Sequence, residues 1–155
     1  MLKKYKELII SVVIAIGLLT IYNLYIRDPD IYFARSVFEN LVRANQGAQD
    51  VIEWSLFKGV GFDVGANYLR LPDELQRKTF RKVFITSFSE GFRKTEGKLG
   101  AFVNWRISSK DDKTMTVAAD YKTHGKTLLF TFIRQPRKLI SVEWEGVTAQ
   151  NEKTQ

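Results

Sequence analysis

The chain contains 155 residues, no cysteine, and 24 basic against 17 acidic side chains, which gives a formal net charge of +7. The lack of cysteine excludes disulfides, thiolate metal sites and cysteine nucleophiles. About 128 residues follow the hydrophobic N-terminal segment, which is enough for one compact domain and too few for two.

The first predicted element is a hydrophobic helix. Residues 8–26 form a run of about 19 residues without a formal charge, and a helix of that length spans about 28 Å, close to the ~30 Å core of a bilayer. Lys3, Lys4 and Lys6 precede the run, so the positive-inside rule places the N-terminus in the cytoplasm. We therefore predict that residues 1–27 are a cytoplasmic stub and a transmembrane anchor. The protein would then be a single-pass inner-membrane protein with a periplasmic, or otherwise extracytoplasmic, C-terminal domain.

Two alternatives stay open for this segment. A cleaved signal peptide would suit the lysine-rich start, but the run exceeds the usual ~7–15 apolar residues and ends without a small-x-small cleavage site. A buried core helix is the other alternative, although such helices are usually shorter. Tyr22 and Tyr25 stand where an interfacial aromatic belt is expected, which favours the anchor.

Further helices are predicted after the anchor. Asp28 and Pro29 suit a helix start, and apolar residues then repeat on one helical face over residues 31–42. A second short helix is expected over residues 48–57. The glycine-rich stretch that follows is expected to be a loop with a short helix around residues 63–71.

The clearest predicted helix opens with the sequence LPDE at residues 71–74, where the proline and two acids suit a first turn. Its apolar stripe, of a kind that usually packs against a sheet, contains Leu75, Thr79, Phe80, Val83, Phe84, Ser87, Phe88 and Phe92. The other face is basic and carries Arg77, Lys78, Arg81, Lys82, Arg93 and Lys94. As a candidate site this basic face would bind anionic headgroups or an acidic partner; an ordinary solvated helix face is the alternative.

After residue 100 the apolar period changes to two, which is typical of strands. Four strands are expected, centred on residues 101–108, 115–121, 128–133 and 140–144. The connections between them are short turns, so neighbouring strands are predicted to be antiparallel.

The predicted fold class is therefore α+β. It comprises the N-terminal transmembrane helix and then helices packed on a curved, cone-like, four-stranded antiparallel meander. The extracytoplasmic domain is expected to span residues 28–147, and residues 148–155 are expected to form a flexible tail because they contain no core-forming side chains.

This order of elements resembles the nuclear-transport-factor-two-like or cystatin-like superfamily, in which a long helix lies in the concave face of a curved sheet. The resemblance covers residues 30–147 and includes the ending KLISVEWEGV of residues 138–147. Within that superfamily the chain resembles the periplasmic domains of type IV secretion assembly factors and, more loosely, the phospholipid carriers of the Mla pathway. The first resemblance implies a scaffold that contacts other proteins and itself. The second implies acyl chains held between the helices and the sheet.

The sequence offers little for catalysis or metal binding. His124 is the single histidine and falls in a predicted turn, and Asp111 and Asp112 also suit a turn. Isomerases of the superfamily use an acid and a tyrosine inside the cone. Here Asp120 and Tyr121 adjoin on one strand, so at most one of them points inward. We predict no catalytic residue, no metal site and no cofactor.

The aromatic side chains are the main candidates for binding a ligand. The predicted cavity wall consists of Phe80, Phe84, Phe88, Phe92, Trp105, Phe130, Phe132 and Trp144. Plain core packing is the alternative. A cone that its own side chains do not fill would hold an acyl chain or another apolar ligand.

Two functions are therefore predicted. One is a membrane-anchored, non-enzymatic scaffold or interaction module of a cell-envelope complex, with other envelope proteins or a second copy as partners. The other is a binder or carrier of a lipid or other apolar ligand. Nucleic acid is not an expected partner, because the aromatic residues do not lie among the basic ones. An apolar cavity of several hundred Å³ would favour the binder, and a filled interior with a flat apolar patch would favour the scaffold.

Overall fold

The fold is seen in a computed structural model that describes residues 2–22 and 28–146. The helices in these residues are α1 (Leu2–Ile21), α2 (Pro29–Val42), α3 (Val64–Leu69) and α4 (Glu74–Lys94). The strands are β1 (Lys58–Gly59), β2 (Phe62–Asp63), β3 (Phe102–Lys110), β4 (Thr114–Tyr121), β5 (Lys126–Arg134) and β6 (Arg137–Trp144). Short 3-10 helices cover Gln46–Val51 and Leu99–Ala101.

The structure contradicts the predicted membrane anchor. In the part of the chain that the structure describes, no helix combines the length and the apolar character needed to cross a membrane. α1 begins at Leu2, so the lysines and Glu7 belong to the helix itself. The predicted transmembrane helix, and the single-pass inner-membrane location that depended on it, were wrong.

Some of the predicted boundaries fall where the structure gives no description. Residues 23–27, which include the predicted belt residue Tyr25, lie outside the described ranges. The end of the predicted domain at residue 147 and the predicted tail at residues 148–155 lie outside them as well.

The six strands form one mixed sheet in the order β2-β1-β6-β5-β4-β3. β3 to β6 make the antiparallel meander that the alternating pattern predicted, but β1 joins β6 in parallel and β2 pairs with β1. The prediction of a four-stranded antiparallel sheet was therefore wrong. The two added strands have two residues each, which is too short for a period-two pattern to reveal.

A tight hairpin connects β1 and β2. Its two turn residues, Val60 and Gly61, have φ values of 47° and 86°, as the favoured two-residue hairpin turn requires. Glycine adopts this conformation freely, whereas a β-branched residue such as Val60 is strained in it. The Val60 N–H donates to the Val142 carbonyl at 2.7 Å, which fixes the hairpin beside β6.

α2 is the helix that packs directly on the sheet. It begins at Pro29, as predicted, and its buried face consists of Ala34, Val37, Phe38, Leu41 and Val42. The Phe38 ring meets the rings of Phe92, Phe102 and Phe130 edge-on, with centroids 4.8–5.8 Å apart. α2 and the inner face of the sheet thus form the centre of the core.

A buried carboxylate fixes the first turn of α2. Asp30 accepts hydrogen bonds from the Lys110 ammonium and the Arg137 guanidinium, each at 2.8 Å. The Arg137 guanidinium also lies over the Phe33 ring, 5.1 Å from its centroid. These contacts connect the start of α2 to the end of β3 and to the β5–β6 turn.

α4 begins at Glu74, at the end of the predicted LPDE opening, and Asp73 is its N-cap, whose carboxylate accepts from the Gln76 N–H at 2.8 Å. Its burial differs from the predicted stripe, since its fully buried residues are Ile85 and Ser89. Leu75 and Val83 are 75% and 57% exposed. α4 therefore packs across α2 and stands away from the sheet, and this separation opens a space between them.

Candidate ligand-binding cavity

A cavity of about 370 Å³ lies between the C-terminal half of α4 and the inner face of the sheet. Phe38 of α2 closes it on one side. Val60 of the β1–β2 hairpin also lines it and is 42% exposed, which places this residue at the rim. The hairpin that sequence patterns missed thus contributes part of the cavity entrance.

The helical wall of the cavity comes from one side of α4 and the residues just after it: Ser87, Phe88, Gly91, Phe92, Thr95 and Gly97. Their spacing of three and four residues explains why one helix supplies most of them. Gly91 is the exposed glycine of this wall, and a Cβ atom built there meets no heavy atom within 4 Å. Any larger side chain at this position would extend into open space.

The sheet wall consists of inward-facing residues from four strands: Phe102, Tyr121, Leu128, Val142 and Trp144. The Tyr121 and Phe102 rings stack with centroids 4.6 Å apart, and the Trp144 ring lies 6.0 Å from that of Tyr121. No described residue that lines the cavity carries a charged side chain. The surface offered to a ligand is therefore mostly apolar, with a few hydroxyl and indole groups.

Of the aromatic residues predicted to form the wall, Phe88, Phe92 and Trp144 line the cavity. Phe80 and Phe84 lie nearer the start of α4, where they pack edge-on against Trp54 at 6.4 and 5.6 Å between ring centroids. These two residues belong to the aromatic cluster around Trp54, which adjoins the cavity wall where the Phe84 and Phe88 rings lie 6.3 Å apart.

The other predicted wall residues fill the core instead. Trp105 and Phe130 stack on each other with centroids 5.3 Å apart, and Phe132 meets Phe33 edge-on at the same distance. Phe130 and Phe132 have no exposed surface. They form the packed floor beneath the helices, so the predicted alternative of plain core packing describes these positions.

The basic residues of α4 do not form one surface. Arg77 and Arg81 both lie over the Tyr68 ring, and Arg81 bridges the Tyr68 hydroxyl and the Glu74 carboxylate, each at 2.7 Å. The hydrogen bond to Glu74 raises the pKa of Arg81 above its usual value. Lys78 and Arg81 border an open polar depression beside Lys138.

Lys82 is exposed on the outer side of α4, while Arg93 and Lys94 form its last turn. From the first turn of the helix to the last is roughly 25 Å. The basic residues predicted to bind headgroups or an acidic partner therefore form two groups, one in the first half of α4 and one in its last turn. Basic side chains in the last turn also complement the negative end of the helix dipole, which gives them a structural role.

The polar residues considered for catalysis have structural partners. Asp111 accepts from the Lys113 and Thr114 N–H groups at 2.7 Å each, and these bonds lower the pKa of Asp111. Asp120 accepts from Arg106 at 2.9 Å on the outer face of the sheet, and this hydrogen bond lowers the pKa of Asp120. His124 lies in the β4–β5 turn as predicted, with its ring 5.3 Å from that of Tyr121. Among the described residues no group of histidines and acids has a metal-binding arrangement.

Sequence reasoning did not single out Gly91, Leu128 or Val142 as wall residues. The strand alternation places Leu128 and Val142 inward, and it also directs Tyr121 inward and Asp120 outward, as observed. Gly91 had one available signal, because a glycine within a strong helical pattern costs about 1 kcal/mol and usually has a packing or functional reason.

The site and fold together define an α+β domain with an apolar cavity large enough for a small ligand. Comparisons with models of known protein families, with curated proteins and with solved structures give no match for this chain.

Proposed function

We propose that this protein binds a small apolar ligand, such as a single acyl chain, in the cavity between α4 and the sheet. The observation that carries the proposal is the cavity itself, about 370 Å³ with a mostly apolar lining. Ligand sites in proteins usually measure about 300–1,000 Å³ and have this composition.

The construction of the helical wall supports the same function. Gly91 lies within α4, where alanine would favour the helix by about 0.5–1 kcal/mol. Its Cβ position is open space, so packing against a neighbour does not account for the glycine. Gly91 is exposed and lines the cavity, so a side chain at this position would narrow the cavity opening. The apolar, uncharged lining suits a binding protein, and we propose no catalysis.

A protein-interaction module is the second candidate, and a separate observation favours it. Phe62, Leu75 and Val83 are 73%, 75% and 57% exposed. Exposed apolar side chains of this size are frequent at protein–protein interfaces. The partner would be another protein or a second copy of this chain. The apolar cavity remains the stronger observation, because its walls come from several elements that enclose one volume.

A matched pair of variants tests ligand binding. Gly91→Leu adds a side chain at an exposed position that lines the cavity, where it would narrow the opening, and Thr86→Leu adds the same side chain at an exposed position of α4 that does not line the cavity. The full-length proteins are titrated with the fluorescent apolar probe N-phenyl-1-naphthylamine, with far-UV circular dichroism as a check of folding. We expect Gly91→Leu to weaken probe binding about tenfold or more, a change of ~1.4 kcal/mol.

Thr86→Leu is expected to bind the probe as the wild type does. Because α1 is also apolar and exposed, probe binding by itself does not localise the site, and the difference between the two variants does. Equal binding by Gly91→Leu and the wild type would contradict the proposed function. A chain that self-associates through Phe62 or Val83 without binding the probe would favour the interaction module.

A further inference from the structure

The polar groups inside the cavity specify the ligand further. Tyr121 is 5% exposed, yet its hydroxyl makes no hydrogen bond to any described residue. Every deeply buried side-chain nitrogen or oxygen of the described residues has a partner. The unpaired Tyr121 hydroxyl therefore contacts open space, and the cavity is the open space that this residue lines.

Trp144 presents a second unpaired group to the same space. The indole N–H groups of the other tryptophans are bonded, since Trp54 donates to the Gln49 carbonyl at 3.0 Å and Trp105 to the Phe102 carbonyl at 3.2 Å. The half-buried Trp144 indole has no such acceptor among the described residues. Its ring centroid lies 6.0 Å from that of Tyr121, so the two residues are neighbours in the cavity wall.

The Tyr121 hydroxyl and the Trp144 indole N–H are available to a ligand, because no described residue bonds them. Tyrosine hydroxyls and indole N–H groups in apolar surroundings normally find a hydrogen-bond partner. An indole N–H only donates. A ligand group that satisfies both residues must therefore accept hydrogen bonds.

We propose that the ligand is an acyl compound whose carbonyl or carboxylate oxygen accepts hydrogen bonds from the Tyr121 hydroxyl and the Trp144 indole N–H. This inference rests on the proposed function, because it assigns the polar end of the same ligand. The chain of the ligand would lie along Leu128, Phe88 and Phe92 of the apolar wall.

The charges near this end of the cavity are compatible with such a group. Lys122 and Lys126 are exposed at the β4–β5 turn, and Lys126 is the strand partner of Tyr121. No acidic side chain lines the cavity among the described residues. A ligand carboxylate at this end would not be repelled by a buried negative charge. A neutral ester carbonyl could bind there without pairing with either lysine.

Three displacing ligands of equal chain length test the inference: octanoic acid, methyl octanoate and n-octane. Each displaces N-phenyl-1-naphthylamine from the wild type, from Tyr121→Phe and from Trp144→Phe. Tyr121→Phe keeps the ring that stacks on Phe102 and removes only the hydroxyl. Tyr68→Phe is the control, because the Tyr68 hydroxyl bonds Arg81 outside this cavity.

We expect Tyr121→Phe and Trp144→Phe to weaken the binding of acyl ligands about tenfold and to leave n-octane within about twofold. A loss confined to octanoic acid would identify a free carboxylate, and a loss for the acid and the ester alike would identify an acyl carbonyl. Thermal melting of each variant confirms that it is folded.

Equal losses for all three ligands, or no loss for any, would overturn the acceptor assignment while leaving cavity binding in place. Failure of the wild type to bind the probe or any of the three ligands would overturn the proposed function itself. The two failures are thus distinguishable in one set of titrations.

Discussion

Asp111 shows how single carboxylates stabilise this domain from its surface. Its carboxylate accepts two backbone N–H groups and the Thr114 hydroxyl within the β3–β4 turn. These bonds favour the ionised form and so lower its pKa. The neighbouring Asp112 makes no such bond to any described residue. Substituting each aspartate in turn therefore separates the effect of the hydrogen bonds in the β3–β4 turn from the effect of removing one negative charge.

Asp111→Ala is expected to destabilise the protein at neutral pH and to have a smaller effect in acid. Since the pKa of Asp111 is lower in the folded state, its contribution is fully present above the unfolded value near 4 and is lost as pH falls through the folded value. Urea midpoints at about pH 7 and about pH 3 measure this difference. Asp112→Ala serves as the control. A midpoint difference between Asp111→Ala and wild type that persists unchanged in acid would refute this account.

Two helical glycines illustrate opposite structural demands. A Cβ atom at Gly65 in α3 would lie 2.6 Å from the Ser55 carbonyl oxygen, whereas one at Gly91 in α4 would touch nothing within 4 Å. The glycine at position 65 is thus required by the close approach of two backbone segments. The glycine at position 91 is required by no contact.

Alanine at these two glycines should change stability in opposite directions. Gly91→Ala is expected to raise the free energy of unfolding by about 0.5–1 kcal/mol through helix propensity. Gly65→Ala is expected to lower it by about 1–3 kcal/mol because α3 must shift. Urea denaturation of both full-length variants tests this. Stabilisation by Gly65→Ala would mean that α3 does not pack on residue 55.

Among the secondary-structure elements, caps and hydrophobic periodicity predict the long helices and strands well. They predict very short strands, and the packing of one element on another, poorly. The start of α2 at Pro29, the presence of α4 and the four long strands follow from helix-start signals and periodicity. β1 and β2 do not, since two residues carry no period. The α4 stripe was predicted as core, yet Val83 is exposed, because amphipathicity does not tell how closely a helix approaches its neighbour.

The importance of α2 as the central helix gives a further prediction. Phe38 is 1% exposed and touches aromatic rings from α4, β3 and β5, whereas Phe62 of β2 is 73% exposed. Phe38→Ala is expected to lower the free energy of unfolding by about 3–5 kcal/mol. Phe62→Ala is expected to change it by less than about 0.5 kcal/mol. Comparable losses in denaturant titrations would show that the α2 packing described above is incorrect.

For the whole molecule, the sequence predicts which kinds of residue line the cavity, but it does not predict how large the cavity is. Phe88, Phe92 and Trp144 were recognisable as candidate wall residues, but Phe130 and Phe132 proved to be solid core. Which aromatic side chains line a space depends on how far α4 stands from the sheet, and that distance is set by α2 and the β1–β2 hairpin. The predicted anchor was also wrong, since no helix in the described residues is long and apolar enough to cross a membrane.

The arrangement of the whole molecule leads to one account of function. α2 fills the inner face of the sheet near β3 and β4, and α4 covers the remaining part without filling it. The enclosed space is apolar, uncharged and provided with two neighbouring unpaired donors. Volume, polarity and donors all concern the same cavity, so a single bound ligand can account for the three features together.

The most direct test is a crystal structure of the full-length protein with a brominated acyl ligand such as 8-bromooctanoic acid. Anomalous scattering from bromine locates the ligand independently of any change in fluorescence. The account predicts a bromine peak between α4 and the sheet near Phe88 and Val60, with the carboxyl end at Tyr121 and Trp144. A saturated complex whose bromine lies on α1 or on the exposed apolar residues, with the cavity empty, would contradict it.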